Sequence, residues 1–167
     1  GLDSPTFFVN TGFFDVFGRA TGLVITDYQV YGASHDMGGT IIVEDGHAHI
    51  VPSWVGLRFP GIVEQAVQGY PMLIYEGQIA VNTANDEYAR RTLVAEDTNG
   101  NILFAVTSSG AMRLTDLAEY LYDSDLDIVH AFNLDGGVST SMYVSVDEQA
   151  YLVPAQTDIP AIIAGYG

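Results

Sequence analysis

Apolar residues along this chain come in short runs separated by Gly, Asp and Asn, a pattern that indicates strands joined by tight turns. Three pairs of runs flank such turns and predict β-hairpins: 40–43 with 47–51, 72–75 with 78–81, and 93–96 with 102–106. Further strands are predicted at residues 6–10, 23–30, 128–134, 141–146 and 159–164, with a possible turn at Asp27 in the second of these.

Two segments are candidates for helices. Residues 114–121 place Leu114, Leu117, Ala118 and Leu121 on one face, with Thr115 as the predicted N-cap and Asp116 at the positive end. Residues 62–68 could form one short helix, ended by Gly69 and Pro71. Many short strands with one or two helices predict an α+β fold on largely antiparallel sheet, and the length favours a single domain over residues 1–167.

The charge of the chain is strongly acidic and excludes several kinds of partner. Five Arg and no Lys face 21 Asp and Glu, which gives a formal net charge of −16. Such a surface repels nucleic-acid phosphates and anionic lipids, so we expect no nucleic-acid partner. No apolar run is long enough for a membrane helix, so no membrane insertion is expected. Because cations are scarce, each Arg is a candidate to bind an anionic substrate.

The sequence has no Cys, which excludes disulfides, Cys-ligated zinc and a thiol nucleophile. His47 and His49 share one face of a predicted strand and could bind a metal, but no third ligand is nearby, so solvent-facing histidines are the preferred interpretation. No cofactor is expected, although a divalent cation is possible. The sequence shows no basic segment followed by an apolar one, as a signal peptide would, and we expect an extracytoplasmic or secreted protein whose signal segment precedes this sequence.

The run from Phe132 to Met142 is the most informative stretch for chemistry. It contains one carboxylate, Asp135, then the two glycines 136 and 137, and then the hydroxyls of residues 139–141. Paired glycines let the backbone come close to a ligand, and their N–H groups with the hydroxyls could hold an anion such as phosphate. Asp135 could then act as a general base, acid or nucleophile. A plain hairpin turn explains Asp-Gly-Gly equally well.

Several segments, taken in order, resemble the phosphodiester glycosidase family. They are Val9-Asn10-Thr11-Gly12-Phe13-Phe14-Asp15 with the return strand at 22–25, Gln68-Gly69-Tyr70-Pro71-Met72-Leu73-Ile74, Arg91-Thr92, the helix at 114–121, and Asn133-Leu134-Asp135-Gly136-Gly137 with 139–142. The resemblance spans nearly the whole chain and is weaker from 32 to 59. Two residues depart from the family pattern: Val138 replaces a usual third Gly, and Thr11 replaces a small Gly or Ala. Both are expected to narrow the space near the anion site.

The resemblance implies hydrolysis of a sugar-1-phosphodiester, the bond between an anomeric carbon and a phosphate oxygen, in a small-molecule or glycan substrate. It implies that Asp135 stabilises the oxocarbenium-like centre or activates water, and that Arg91 binds the phosphate. Asn10 and Asp15 are expected to contact sugar hydroxyls. The expected substrate or phosphate contacts are Gly12, Gly136, Gly137, Ser139, Thr140 and Ser141.

Alternatives remain for most of these roles. A second carboxylate could be Asp15, Glu64 or Glu96. Asn10 or Asp15 could serve only to cap a turn, Arg91 could only pair with an acid, and the glycines could serve backbone conformation alone. Phe13 and Phe14 are more typical of core. Two rival functions are a non-catalytic carbohydrate- or phosphate-binding module, indicated if Val138 fills the anion site, and a cation-dependent site built on Asp135 with Asp15.

Overall fold

The computed structural model describes residues 4–55, 63–82, 86–147 and 149–166. These residues form fourteen β-strands and one α-helix, α1 at Leu114–Tyr122. The strands are β1 Phe7–Asn10, β2 Val24–Thr26, β3 Gln29–Tyr31, β4 Gly39–Glu44, β5 His47–Pro52, β6 Val63–Gly69, β7 Met72–Tyr75, β8 Gln78–Ile79, β9 Thr92–Asp97, β10 Ile102–Val106, β11 Ile128–Asn133, β12 Met142–Val146, β13 Gln149–Val153 and β14 Ile162–Gly165.

The strands are arranged in three sheets. The first sheet has the order β13-β12-β1-β14, the second β10-β9-β11-β7-β8, and the third β3-β2-β6-β4-β5. All strand pairings within the described residues are antiparallel, as the sequence predicted. In those residues no helix has the length and apolar character needed to cross a bilayer.

Apolar side chains alternate along the strands and build separate layers of core. One layer lies between the second sheet and α1 and includes Leu73, Leu93, Ala118 and Ala131. A second layer joins the second and third sheets and contains the largest fully buried side chain, Phe132. The first sheet reaches this layer through Ile163. The ends of strands from different sheets therefore meet around the same core, where the chain can bring distant residues together.

The three predicted hairpins are confirmed. β4 pairs with β5, β7 with β8, and β9 with β10, each through the predicted turn. Residues 23–30 form the hairpin β2–β3 rather than one strand, with Asp27 and Tyr28 at positive φ in its turn. The last strand begins later than predicted, at Ile162.

The helix predicted at 62–68 is wrong. Residue 62 lies outside the described residues, and the rest belongs to β6, which pairs with β2 on one side and β4 on the other. Val63 and Ala66 have helical spacing, yet they share one face of the third sheet. The reason is a bulge opposite β4, where Val43 pairs with Gln65 but Glu44 pairs with Val63.

The predicted amphipathic helix is confirmed, since Leu114, Leu117, Ala118 and Leu121 are all buried. Its predicted N-cap is wrong. The helix begins at Leu114, one residue before Thr115, and its N-cap residue makes no side-chain capping hydrogen bond. The cap comes from Asp86, whose carboxylate accepts the N–H groups of Leu114 at 2.6 Å and Thr115 at 2.9 Å.

Candidate functional site

The turn after β11 joins the second sheet to the first. β11 belongs to the second sheet and β12 to the first, so Asp-Gly-Gly is not the turn of a hairpin between them. The N–H of Asp135 donates to the carbonyl of Thr11 at 3.0 Å, and the N–H of Leu134 donates to the carbonyl of Thr92 at 2.8 Å. Asp135 therefore lies where the ends of β1, β9 and β11 meet.

Asn10 holds this junction together. Its side chain is 1% exposed. Its amide Nδ2 donates to the carbonyl of Asp135 at 2.7 Å, while Oδ1 accepts the Thr92 hydroxyl at 2.8 Å and the N–H of Ser141 at 3.0 Å. All of these partners are protein groups, so Asn10 positions the Asp135 turn rather than presenting a free amide to a sugar hydroxyl.

The Asp135 carboxylate is partly committed and partly available. Oδ1 accepts the N–H of Gly136 at 2.9 Å, and Oδ2 has no hydrogen-bond partner within the described residues. The residue is half-buried. One oxygen is thus fixed by the turn, and the other can accept a proton or face a positively charged reaction centre.

The two glycines are required for different reasons. Gly137 has φ +61°, a conformation that favours glycine. Gly136 is extended, but a Cβ there would lie 2.7 Å from the carbonyl oxygen of Arg90. That carbonyl accepts the N–H of Gly137 at 2.7 Å.

The prediction that free backbone N–H groups in this turn hold an anion is wrong for the amides of Gly136 and Gly137. The N–H groups of Gly136, Gly137, Ser139, Thr140 and Ser141 all donate to protein acceptors. These amides shape the turn and are not available to a phosphate. Phosphate contact by this segment stays a prediction only for the hydroxyls.

Polar atoms without partners are concentrated around the turn. In the described part of the chain, five buried side-chain atoms lack a hydrogen-bond partner. Three of them belong to residues that flank Asp135 in the chain: Asn133 Oδ1, Thr140 Oγ1 and Ser141 Oγ. A fourth is Nε of Arg90, whose Nη2 donates to the carbonyl of Thr140. Buried polar groups are nearly always paired, so such a group of exceptions is typical of a site that binds water or ligand.

Arg91 lies beside the turn through its backbone, but its side chain points elsewhere. A Cβ on Gly136 would be 3.7 Å from the Arg91 Cα. The guanidinium donates from Nε to the carbonyl of Met112 at 2.9 Å and from Nη2 to the carbonyl of Glu87. Asp86 lies 3.9 Å away, and the Arg91 side chain is only 13% exposed. These contacts hold the start of α1, so phosphate binding by Arg91 stays a prediction without a free guanidinium to support it.

Arg90 was not predicted and is the arginine that holds the turn. Its Nη2 donates to the carbonyls of Thr140 at 3.0 Å and Pro154 at 3.1 Å. The sequence contains Arg90-Arg91, and strand alternation indicates that only one of the two can face the turn. The pattern did not show which one.

Asp15 lies on a loop of its own. Its Oδ1 accepts the N–H groups of Phe17 at 2.9 Å and Arg19 at 3.0 Å, and its Oδ2 accepts Arg19 Nε at 2.8 Å. The backbone hydrogen bond from Arg19 is the main cause that holds the pKa of Asp15 below its ordinary value. No hydrogen bond joins Asp15 to Asp135 within the described residues.

Gly12 is needed for close packing. A Cβ at this position would lie 2.3 Å from the carbonyl oxygen of Gln68, so the backbone of Gly12 passes directly against β6. Gln68 is itself fully buried, and its side chain binds the backbone N–H groups of Leu23 and His35 through Oε1. This role of Gln68 was not predicted, although a polar amide among apolar strand residues in the sequence is a usable signal.

Val138 and Thr11 depart from the family pattern and were expected to narrow the space near the anion site. The Val138 side chain is 55% exposed, so it does not fill a buried anion site. Thr11 is buried, and its hydroxyl donates to the carbonyl of Ala161 at 3.3 Å. Phe13 and Phe14 are half-buried rather than part of the core.

The other carboxylates considered lie along strands away from the turn. Glu96 accepts the N–H of Ile50 at 2.8 Å from within β9, and Glu64 is at the far end of β6 from Gly69. Within the described ranges, no three His, Cys, Asp or Glu residues form a group that could hold a metal ion. In these residues a cation site on Asp135 and Asp15 therefore lacks the further ligands that it needs. A metal site on His47 and His49 lacks them as well.

The family of this chain is shown by its similarity to known proteins. A sequence model of the phosphodiester glycosidase family matches residues 4–163. The chain therefore belongs to the phosphodiester glycosidase family, as its motifs predicted. No match was found among curated proteins.

Two solved structures are similar in fold. The catalytic domain of zebrafish N-acetylglucosamine-1-phosphodiester α-N-acetylglucosaminidase, auto-inhibited by its pro-peptide, matches with a TM-score of 0.66 and 21% identity over 96% of this chain. A hypothetical protein from Synechocystis matches with a TM-score of 0.64 and 17% identity, also over 96% of this chain. The match spans 61% and 50% of those two chains, respectively.

Proposed function

We propose that this protein hydrolyses sugar-1-phosphodiesters, such as an α-N-acetylglucosamine-1-phosphodiester, and releases the free sugar. The observation that carries the proposal is the position of Asp135. This carboxylate has one unpaired oxygen within the described residues and lies at a junction held by Asn10. Three residues of the same segment, and Arg90 that bonds to it, carry a buried polar atom without a partner in those residues. Membership of the phosphodiester glycosidase family supports the same reaction class.

The reaction requires little acid assistance at the leaving group. Water attacks the anomeric carbon, the bond from that carbon to the phosphate oxygen breaks, and the bonding electrons leave with a phosphomonoester. Asp135 Oδ2 accepts the proton of the attacking water or stabilises positive charge at the anomeric carbon. A phosphomonoester is a good leaving group, so the bond can break without a strong general acid.

The test is sugar release from UDP-N-acetylglucosamine and a panel of sugar-1-phosphodiesters by wild type and by Asp135→Asn. We expect the variant to lose about a hundredfold to ten-thousandfold in kcat, because a positioned base or acid contributes that much. Asp97→Asn is the matched control, since Asp97 also accepts backbone N–H groups in a turn but lies at the other end of β9.

Unchanged release by Asp135→Asn would remove Asp135 from the mechanism. Saturable sugar binding with no release from any panel member would favour the non-catalytic binding module instead. Circular dichroism of both variants shows whether each one is folded, so that a loss of activity is assigned to the carboxylate.

A further inference from the structure

A large cavity, which Asp135 itself does not line, has no role in the site described so far. Its volume is about 850 Å³, and its walls are the loop from Phe14 to Thr21, the hairpin β2–β3 and Pro160 with Ala161. Ala161 accepts the Thr11 hydroxyl at 3.3 Å, and Thr11 accepts the Asp135 N–H at 3.0 Å. One residue thus separates a cavity wall from the candidate catalytic turn.

Arg19 is the charged group that this cavity offers to a ligand. The Asp15 carboxylate accepts two backbone N–H groups on Oδ1 and the Arg19 side chain on Oδ2, so its acceptor capacity is used within the loop. Arg19 contacts it through Nε and Nη2, and Nη1 has no hydrogen-bond partner within the described residues. The Arg19 side chain is 73% exposed and lies over the Phe17 ring at 5.2 Å.

The other described arginines do not line this cavity. Arg91 is buried against carbonyls at the start of α1, and Arg90 holds the Asp135 turn. Arg113 forms a two-point ion pair with Asp116 and does not line this cavity. With a net charge of −16, the protein needs a local cation to bind an anionic substrate, and among the described arginines Arg19 is the one that lines this cavity with donors to spare.

We propose that Arg19 binds the phosphate oxygens of the substrate and that this cavity is the phosphate-side subsite of the active site. The inference rests on the proposed function and assigns to Arg19 the phosphate contact that the sequence suggested for Arg91. Asp15 acts as a positioning residue, because its contacts fix the loop and the guanidinium plane. The guanidinium can grip two phosphate oxygens at once, and its stacking on Phe17 limits its motion.

The experiment compares wild type, Arg19→Gln, Arg19→Lys and Arg113→Gln. Arg113 is a matched control because it is also ion-paired with a nearby aspartate and lies over an aromatic ring, Tyr88, at 5.5 Å. Binding of methyl phosphate and dimethyl phosphate is followed by ³¹P NMR titration, and kcat and KM are measured with UDP-N-acetylglucosamine.

We expect Arg19→Gln to weaken phosphate binding and raise KM by about tenfold to a hundredfold, because hydrogen bonds to a charged group are lost. Arg19→Lys should have an intermediate effect, since lysine keeps the charge but not the planar fork. The phosphate affinity and the KM of Arg113→Gln should stay within about twofold of the wild-type values.

The outcomes separate this inference from the proposed function. If wild type releases sugar and Arg19→Gln keeps the same KM, the inference is overturned while the function stands. If no substrate is turned over but methyl phosphate binds in an Arg19-dependent way, the subsite stands and the hydrolase proposal is overturned. An equal loss in Arg113→Gln would show a general charge effect and would also overturn the inference.

Discussion

Asn10 and Asp15 lie five positions apart in the same motif, yet the fold uses them in opposite ways. The partners of the Asn10 side chain include groups 82, 125 and 131 residues away, and all of them are buried or half-buried. The partners of Asp15 are two and four residues away on an exposed loop. One polar side chain joins three strand ends, and the other shapes only its own loop.

From this difference we infer how strongly substitution of each residue should lower the stability of the protein. A buried amide that loses its partners leaves several polar groups unpaired, and each such group costs free energy because water cannot replace the lost bond. A half-buried carboxylate that is lost from an exposed loop leaves partners on that loop that water reaches freely. We therefore expect the stability of the whole protein to depend on Asn10. Loss of Asp15 should change only the geometry of its own loop.

The largest effect is expected for Asn10→Ala. The substitution leaves the Thr92 hydroxyl, the Ser141 N–H and the Asp135 carbonyl without their partner, so the free energy of unfolding should fall by about 3–5 kcal/mol. Urea unfolding measures the loss, and the exposed Asn82→Ala is the control. A loss below about 1 kcal/mol would mean that Asn10 does not hold the junction.

A smaller loss is expected for Gly12→Ala, which tests the packing next to Asn10 without touching a polar side chain. The new Cβ would lie 2.3 Å from the Gln68 carbonyl oxygen, so the backbone must shift, at a cost of about 1–3 kcal/mol. Gly110→Ala is the control, because a Cβ there meets nothing within 4 Å. Equal stability of the two variants in urea would contradict the proposed contact.

A still smaller, pH-dependent loss is expected for Asp86→Asn, a third aspartate whose contacts are long-range like those of Asn10. Burial raises the pKa of Asp86, but hydrogen bonds from Thr115 and Leu114 and the charge of Arg91 together hold it below the ordinary value. Its stabilising contribution is therefore complete above the ordinary aspartate pKa and is lost as the pH falls through the lower folded-state value. We expect a loss of about 1 kcal/mol at pH 7, the usual cost of losing a helix cap.

Thermal or urea unfolding of wild type and Asp86→Asn between pH 7 and pH 2 gives the measurement. The difference between the two proteins should shrink below pH 4, as the wild-type carboxyl is protonated. A difference that stays constant over this range would show that the charge of Asp86 is not what caps α1.

The smallest effect on stability is expected for Asp15→Asn. The pKa of Asp15 is lowered mainly by the backbone hydrogen bond from Arg19, but its contacts are all local and lie on an exposed loop. Tm at pH 7 should change far less than in Asn10→Ala, while KM should rise because Arg19 is less well oriented. A Tm loss equal to that of Asn10→Ala would remove the contrast between the two residues.

Local sequence patterns predicted the hairpins, the apolar face of α1 and the turn at Asp135, because each depends on residues that are neighbours in the chain. They misread 62–68 as a short helix ended by Gly69 and Pro71. The segment is a strand because it pairs with β2 and β4, and a bulge opposite β4 places Val63 and Ala66 on one face. The N-cap of α1 was misplaced for a similar reason, since the capping carboxylate of Asp86 is 28 residues from Leu114.

The sequence by itself determined the family, the antiparallel strands and the presence of a lone carboxylate beside two glycines. Only the tertiary structure decided that Arg90 and not Arg91 faces the turn, that the turn amides are already used, and that Asn10 is a buried support. The physical reason is that a strand has two faces, and a polar side chain forms hydrogen bonds with the groups that pack against its own face. Those groups are set by the packing of sheets from distant parts of the chain.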